Sequence, residues 1–149
     1  MTLGIDTDVL VNWAMRGARH HGAARTLFED EIATKETPIA ITPQVLFEFI
    51  HVVTDPRRFE RPMDMDHAVS FARELWEARE TTRVLPGSTM LHRVLELIHR
   101  LRLGRKRILD TALAVTLADA GVHQLATFNA KDYEVFAFLE VIDPRAQNA

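Results

Sequence analysis

Short apolar runs rich in β-branched residues alternate along this chain with longer stretches of helical periodicity. That alternation limits the folds open to it more than any other feature. The runs are Leu3–Asp6, Pro38–Ile41, Thr82–Leu85, Gln124–Thr127 and Leu139–Ile142. Between the first two, Gly22–Ala33 reads as a helix with Ala23, Leu27, Phe28 and Ile32 on one side. Thr42-Pro43 then supplies an N-cap hydroxyl followed by proline at the first helical position. The helix opened there runs through QVLFEFIHVV and stops before Asp55-Pro56, because a residue preceding proline is pushed out of helical geometry. Residues 55–64 read as a polar loop, and Asp64 caps a helix from Met65 to about Thr82. Two further helices, Ser88–Leu103 and Leu109–Ala120, are separated by a break at Gly104. Strands joined by helical crossovers run parallel, so the expected fold is a single α/β domain over residues 1–149. Helices cover both faces of its mainly parallel central sheet.

Composition narrows the chemistry. The 149 residues contain no cysteine, which excludes disulfides, thiolate zinc sites and a cysteine nucleophile, and suits a reducing compartment. Hydrophobic residues make up 47% and charged ones 26%, the balance of a folded soluble protein. The segment MTLGIDTDVLVNWAMRG has no basic leader, and Asp6 and Asp8 interrupt its apolar run. It therefore reads as neither signal peptide nor membrane span, and the expected location is the cytoplasm. A net charge of −3 gives no global nucleic-acid signature, so any such contact must come from a local patch.

Three carboxylates stand out by position. In open parallel sheets ligands bind beyond the carboxyl ends of the strands, where Asp6 falls, although an isolated Asp there also serves as a helix N-cap. Glu48 lies at the margin of the stripe formed by Val45, Leu46, Phe49, Ile50, Val52 and Val53. There it is either partly desolvated, needing a partner or a cation, or an edge residue reaching into water. Asp110 continues the stripe of Leu113, Ala114, Leu117 and Ala118 back into the first helical turn, where the helix dipole favours it; a buried cap has the same pattern. Three acids from three elements fit a hard-cation site, and oxygen donors without Cys or paired His point to Mg²⁺ or Mn²⁺. The seven histidines show no HExxH spacing; His20, His21 and His51 read as exposed or capping. Trp13 and Trp76 read as core or dimer packing.

The segments GIDTDVLV, TPQVLFEFIHVV and RILDTALAVTLADAGVHQLATFNAKDY, in this order and spacing, resemble the hallmark blocks of PIN-domain nucleases. Among these the resemblance is greatest to the toxin subunits of VapBC-type toxin–antitoxin pairs, and it spans essentially the whole chain. It implies a three-layer α/β/α fold and a Mg²⁺- or Mn²⁺-dependent endoribonuclease leaving 5′-phosphate and 3′-hydroxyl ends. It also implies a homodimer, neutralised by a small antitoxin whose tail fills the active site. Asp6, Glu48 and Asp110 take the places of the family's three core acids. Asp6 and Asp110 would ligate the metal, and Glu48 would bind a metal water or help deprotonate the attacking one. Thr7 and Thr127 supply hydroxyls that hold those carboxylates. Two positions depart from the family. Asp8 replaces the usual Asn or Ser; an extra carboxylate there either joins the metal site or starts the helix, and it is read as starting the helix. Asn129 replaces a fourth acid and would orient a water, which favours one tightly held metal over two. Asp132 is assigned to a structural turn.

Arg102, Arg105, Lys106 and Arg107 cluster just before Asp110 and could clamp RNA phosphates, or simply solvate a helix end. Arg57, Arg58 and Arg61 read as a plain surface loop. Two rival functions remain. Ile5-Asp6-Thr7-Asp8-Val9 mimics the Asp-x-Asp motif of haloacid-dehalogenase-like phosphatases, but the late acidic pair of that family is replaced by TFNAKDY. A PIN scaffold that binds RNA or protein without cleaving is the other.

Overall fold

The computed structural model describes residues 1–146. Its strands are β1 (Leu3–Ile5), β2 (Ile39–Ile41), β3 (Thr81–Arg83), β4 (Gln124–Ala126) and β5 (Glu140–Ile142). They form one sheet in the order β3-β2-β1-β4-β5, and every neighbouring pair is parallel. β1 and β2 are buried throughout, as strands covered on both faces must be. Of the edge strands, TTR is wholly polar, which discourages pairing with another chain, and EVI packs Val141 and Ile142 partly against the core.

The helices are α1 (Thr7–Ala14), α2 (His21–Thr26), α3 (Ala33–Lys35), α4 (Pro43–Val53), α5 (Met65–Glu77), α6 (Met90–Arg100), α7 (Ile108–Asp119) and α8 (Ala130–Tyr133). The chain steps outward from β1 to β2 to β3, then crosses back over β1 to β4 and β5. With right-handed crossovers, that reversal puts α1 to α5 on one face of the sheet and α6 and α7 on the other. The packing agrees: α4 meets α1 and α5, whereas α6 packs on α7. Trp13 stacks on Phe28 with ring centroids 3.9 Å apart, and Phe71 bridges Trp13 to Phe49. Trp13 is thus a core residue. On the opposite face, Gly4 lets α7 settle onto β1: a Cβ there would lie 2.8 Å from Leu117 Cδ1 and 3.0 Å from the Gln124 carbonyl oxygen.

Several boundaries differ from expectation for identifiable reasons. The helix predicted over Gly22–Ala33 runs from His21 to Lys35 and contains a π-helical segment, Leu27–Ile32. The five-residue spacing from Leu27 to Ile32 matches the i→i+5 period and keeps both buried. α5 ends at Glu77, not near Thr82, and β3 begins one residue earlier than predicted. The expected break at Gly104 falls instead at Arg102, whose φ of 53° is left-handed. The Leu103 N–H returns to the Ile98 carbonyl at 3.0 Å, closing α6 and drawing Leu103 against the core. Gly121, at φ 78°, performs the same termination for α7 without strain. The Lys-Asp-aromatic turn is a short helix, α8.

Candidate active site

β1 and β4 flank the point where strand order reverses, so a crevice opens beyond their carboxyl ends. Asp6 is the first residue after β1 and caps α1. Its Oδ1 accepts from the Thr7 N–H at 2.8 Å, and its Oδ2 accepts from the Thr127 hydroxyl at 2.8 Å. Burial raises its pKa to about 6, and the charge of Asp110 adds to the rise; the bonds from Thr127 and Thr7 oppose it. Asp6, and not Asp8, therefore caps the helix.

Asp8 turns across to the loop after β4. Its Oδ2 accepts from the Asn129 side-chain amide at 2.8 Å and from the Phe128 N–H at 3.2 Å. Burial, with the neighbouring Asp6 charge, raises the Asp8 pKa to about 8. Glu48, half-buried on α4, accepts from the Thr7 hydroxyl at 3.1 Å and from Gln44 Nε2 at 3.1 Å. Gln44 also donates to the Leu109 carbonyl at 3.2 Å, tying α4 to the start of α7. Asp110 accepts from the Tyr133 hydroxyl at 3.2 Å, and burial raises its pKa as well. Tyr133 is itself held as a neutral phenol, its pKa pushed far up by burial and by the charges of Asp6 and Asp110.

Asp6, Asp8, Glu48, Asp110 and Asn129 line one cleft of about 610 Å³, whose other wall includes Arg19, His20, Arg58 and Phe59. The three predicted core acids are thus brought together, with Thr7 and Thr127 bonded to them as expected. Asp132 is not in the cleft lining; it accepts from Arg107, whose Nη2 donates to the Asp132 carbonyl and whose Nη1 lies 3.7 Å from its carboxylate. Arg107 Nε is buried without a hydrogen-bond partner among the described residues and sits 3.9 Å from Asp110 Oδ2. Arg107 is thus partly buried beside Asp110, whereas Arg102, Arg105 and Lys106 are exposed. Arg58 is on the surface as read, exposed and 3.9 Å from Asp55 Oδ2, and it also belongs to the cleft lining.

Asn12 gave no sequence signal. Asn12 donates from Nδ2 to the Asp8 carbonyl and accepts the His20 N–H, each at 2.8 Å, fixing the loop at the cleft mouth. The His20 ring stacks on Phe128 at 4.8 Å, and the Arg145 guanidinium lies 5.7 Å from the same ring.

Neither Asp6 nor Asp8 has an ion-pair partner among the described residues. Carboxylates that are buried, as Asp6 is, or partly buried, as Asp8 is, and that lack an ion pair favour a cation, and a set of oxygen donors alone fits a hard divalent ion. As the side chains stand, no three acidic or histidine groups among the described residues are arranged to hold a metal ion. Nor is any described helix long and apolar enough to cross a membrane.

Comparison with known proteins adds three findings. The family model for the PIN domain matches residues 4–139. The chain is 28% identical over 142 residues to Ribonuclease VapC24 of Mycobacterium tuberculosis, covering 95% of this chain and 96% of that protein. Among solved structures, it is similar in fold to M. tuberculosis VapC20, described as a Sarcin-Ricin loop cleaving toxin. The TM-score there is 0.70 at 15% identity, covering 90% of this chain and 95% of the other. A toxin–antitoxin complex from Klebsiella pneumoniae gives a TM-score of 0.61 at 16% identity, covering 95% and 97%.

Proposed function

Because the chain belongs to the PIN-domain family, we propose that it is a metal-dependent endoribonuclease, the toxin of a toxin–antitoxin pair, built as one nuclease domain over residues 1–149. The observation behind this reading is the cleft at the strand-order reversal, where carboxylates from β1, α1, α4 and α7 meet and two of them lack a cationic partner. Its parentage supports the same reading, since the VapC24 relative is a ribonuclease.

Asp6, Glu48 and Asp110 are the residues that would hold the ion, Mg²⁺ or Mn²⁺. Bound there, a divalent cation lowers the pKa of water and offsets charge building on the phosphoryl oxygens. The chain's own groups do the rest. Thr127 and Thr7 fix the Asp6 oxygens, and the Thr7 hydroxyl also reaches Glu48, so one residue sets the spacing of two acids. Glu48 takes the proton of the attacking water at a carboxylate oxygen. The Tyr133 hydroxyl holds Asp110 Oδ1, and Arg58 at the cleft wall contacts a flanking phosphate. Exposed Arg102, Arg105 and Lys106 extend that contact along the strand.

A small antitoxin is the regulatory partner in this reading, which the toxin–antitoxin complex from K. pneumoniae supports, and the cytoplasm is the place of the reaction. The resemblance also implies a homodimer. Phe47, Met90 and Leu109 line an apolar groove on α4, α6 and α7 that a second copy can cover, and sedimentation of the purified chain reads this directly.

The test of activity is cleavage of single-stranded RNA followed by end analysis. Cleavage lost in EDTA, restored by Mg²⁺ or Mn²⁺ and leaving 5′-phosphates supports the proposal. Hydrolysis of small phosphate esters with no RNA cleavage contradicts it.

A further inference from the structure

Asp8 and Asn129 are 121 positions apart, yet they form one of the shortest side-chain contacts in the cleft, 2.8 Å between Asn129 Nδ2 and Asp8 Oδ2. The contact has a direction. Asn129 donates, the Phe128 N–H donates beside it, and Asp8 accepts from both. The Asn129 N–H is in turn fixed by the Thr127 hydroxyl at 3.0 Å, the same hydroxyl that donates to Asp6 Oδ2. Thr127 therefore couples the two carboxylates of the first helical turn through one atom, and its Oγ1 also lies 3.5 Å from Asp8 Oδ2.

A helix-starting Asp needs none of this. Had Asp8 served α1, its oxygens would meet first-turn N–H groups, but Asp6 already fills that role. Instead the short bonds to the Asp8 side chain come from outside its own helix, in a cleft with three other carboxylates and with no ion pair to Asp8 among the described residues. An arrangement that spends two donors on keeping a carboxylate beside another carboxylate makes sense when a cation is shared between them.

We propose that Asp8 is the fourth acid of the cation site, and that Asn129 is its positioning residue, neither a ligand nor a water-orienting group. Acid and amide have changed places across the cleft: the charge comes from α1, and the loop after β4 supplies the donor that aims it. This rests on the metal-dependent reading above, and the assay separates the two.

The assay is Mn²⁺ binding to the purified full-length chain by calorimetry, with circular dichroism as a check on folding, for wild type, Asp6→Asn, Asp8→Asn, Asn129→Ala and the exchanged pair Asp8→Asn/Asn129→Asp. Asp8→Asn should weaken Mn²⁺ binding by about ten-fold or more, and Asn129→Ala by a smaller factor. The exchanged pair, which restores a carboxylate facing an amide, should recover most of the loss. Wild-type affinity in folded Asp8→Asn, with loss in Asp6→Asn, overturns the role of Asp8 alone. An exchanged pair as weak as Asp8→Asn overturns the exchange of places. Absence of Mn²⁺ binding to wild type overturns both this inference and the function on which it rests.

Discussion

At the scale of single residues, the cleft stores unfavourable charge until something neutralises it. Asp6 and Asp8 titrate at about 6 and about 8 in the folded chain, against 3.8 for an ordinary Asp. Below pH 3.8 both are protonated folded or unfolded. As pH rises further, the unfolded chain releases protons that the folded one retains, so stability is lost progressively and the loss is complete above about pH 8. Asp55 and Asp143, whose pKa values are lowered by bonds from Arg57 and Arg145 respectively, change stability only at more acid pH; within the window Asp110, raised by burial, adds to the loss, and His20, lowered by burial, opposes it. Melting temperatures in EDTA should therefore fall between pH 5 and pH 8, less steeply in Asp8→Asn, and Mn²⁺ should recover most of the loss at pH 8. Identical slopes in wild type and Asp8→Asn would count against the burial of charge described here. Asp6, Glu48 and Asp110 were legible in the sequence because strand ends and helical stripes fix where a side chain points. The Asp8–Asn129 pair was not, since it depends on how β1 and β4 lie side by side. Arg58 escaped for a different reason: the 55–64 loop has no period from which a direction can be read.

At the scale of elements, helix and strand order followed from alternation and from turn chemistry, while terminations depended on packing. Gly104 is the obvious breaker in LRLGRKR, yet Arg102 takes the left-handed position because Leu103 gains burial by folding back onto α6. Arg102→Gly should accordingly stabilise the fold, by roughly 0.5–1 kcal/mol, read from the urea midpoint. The π-helical segment has no compositional signature, and only the burial of Leu27 and Ile32 gives it away. Gly4 sits where sequence offers no cue at all. Gly4→Ala forces its new methyl group against Leu117 and the Gln124 carbonyl, and should cost about 1–3 kcal/mol in the same denaturation assay. Because β1 ends one residue before Asp6, the shift should also reduce cleavage by disturbing the first acid.

At the scale of the whole molecule, a net charge of −3 and an acidic cleft oppose RNA, so binding must be local and cation-assisted. Arg58→Ala should weaken RNA binding and lower the salt slope by about one, with little change in kcat. A loss confined to kcat would remove Arg58 from the phosphate path. The PIN-domain fold places its sheet reversal where four carboxylates converge, and the ribonuclease reading stands or falls on whether they act as one metal-dependent unit. The most direct measurement is RNA cleavage by Asp6→Asn and Asp110→Asn at saturating Mg²⁺ or Mn²⁺, with folding verified by circular dichroism. Each variant is expected to lose cleavage by about a hundred-fold or more while keeping the native fold. Cleavage by both at the wild-type rate would contradict the account.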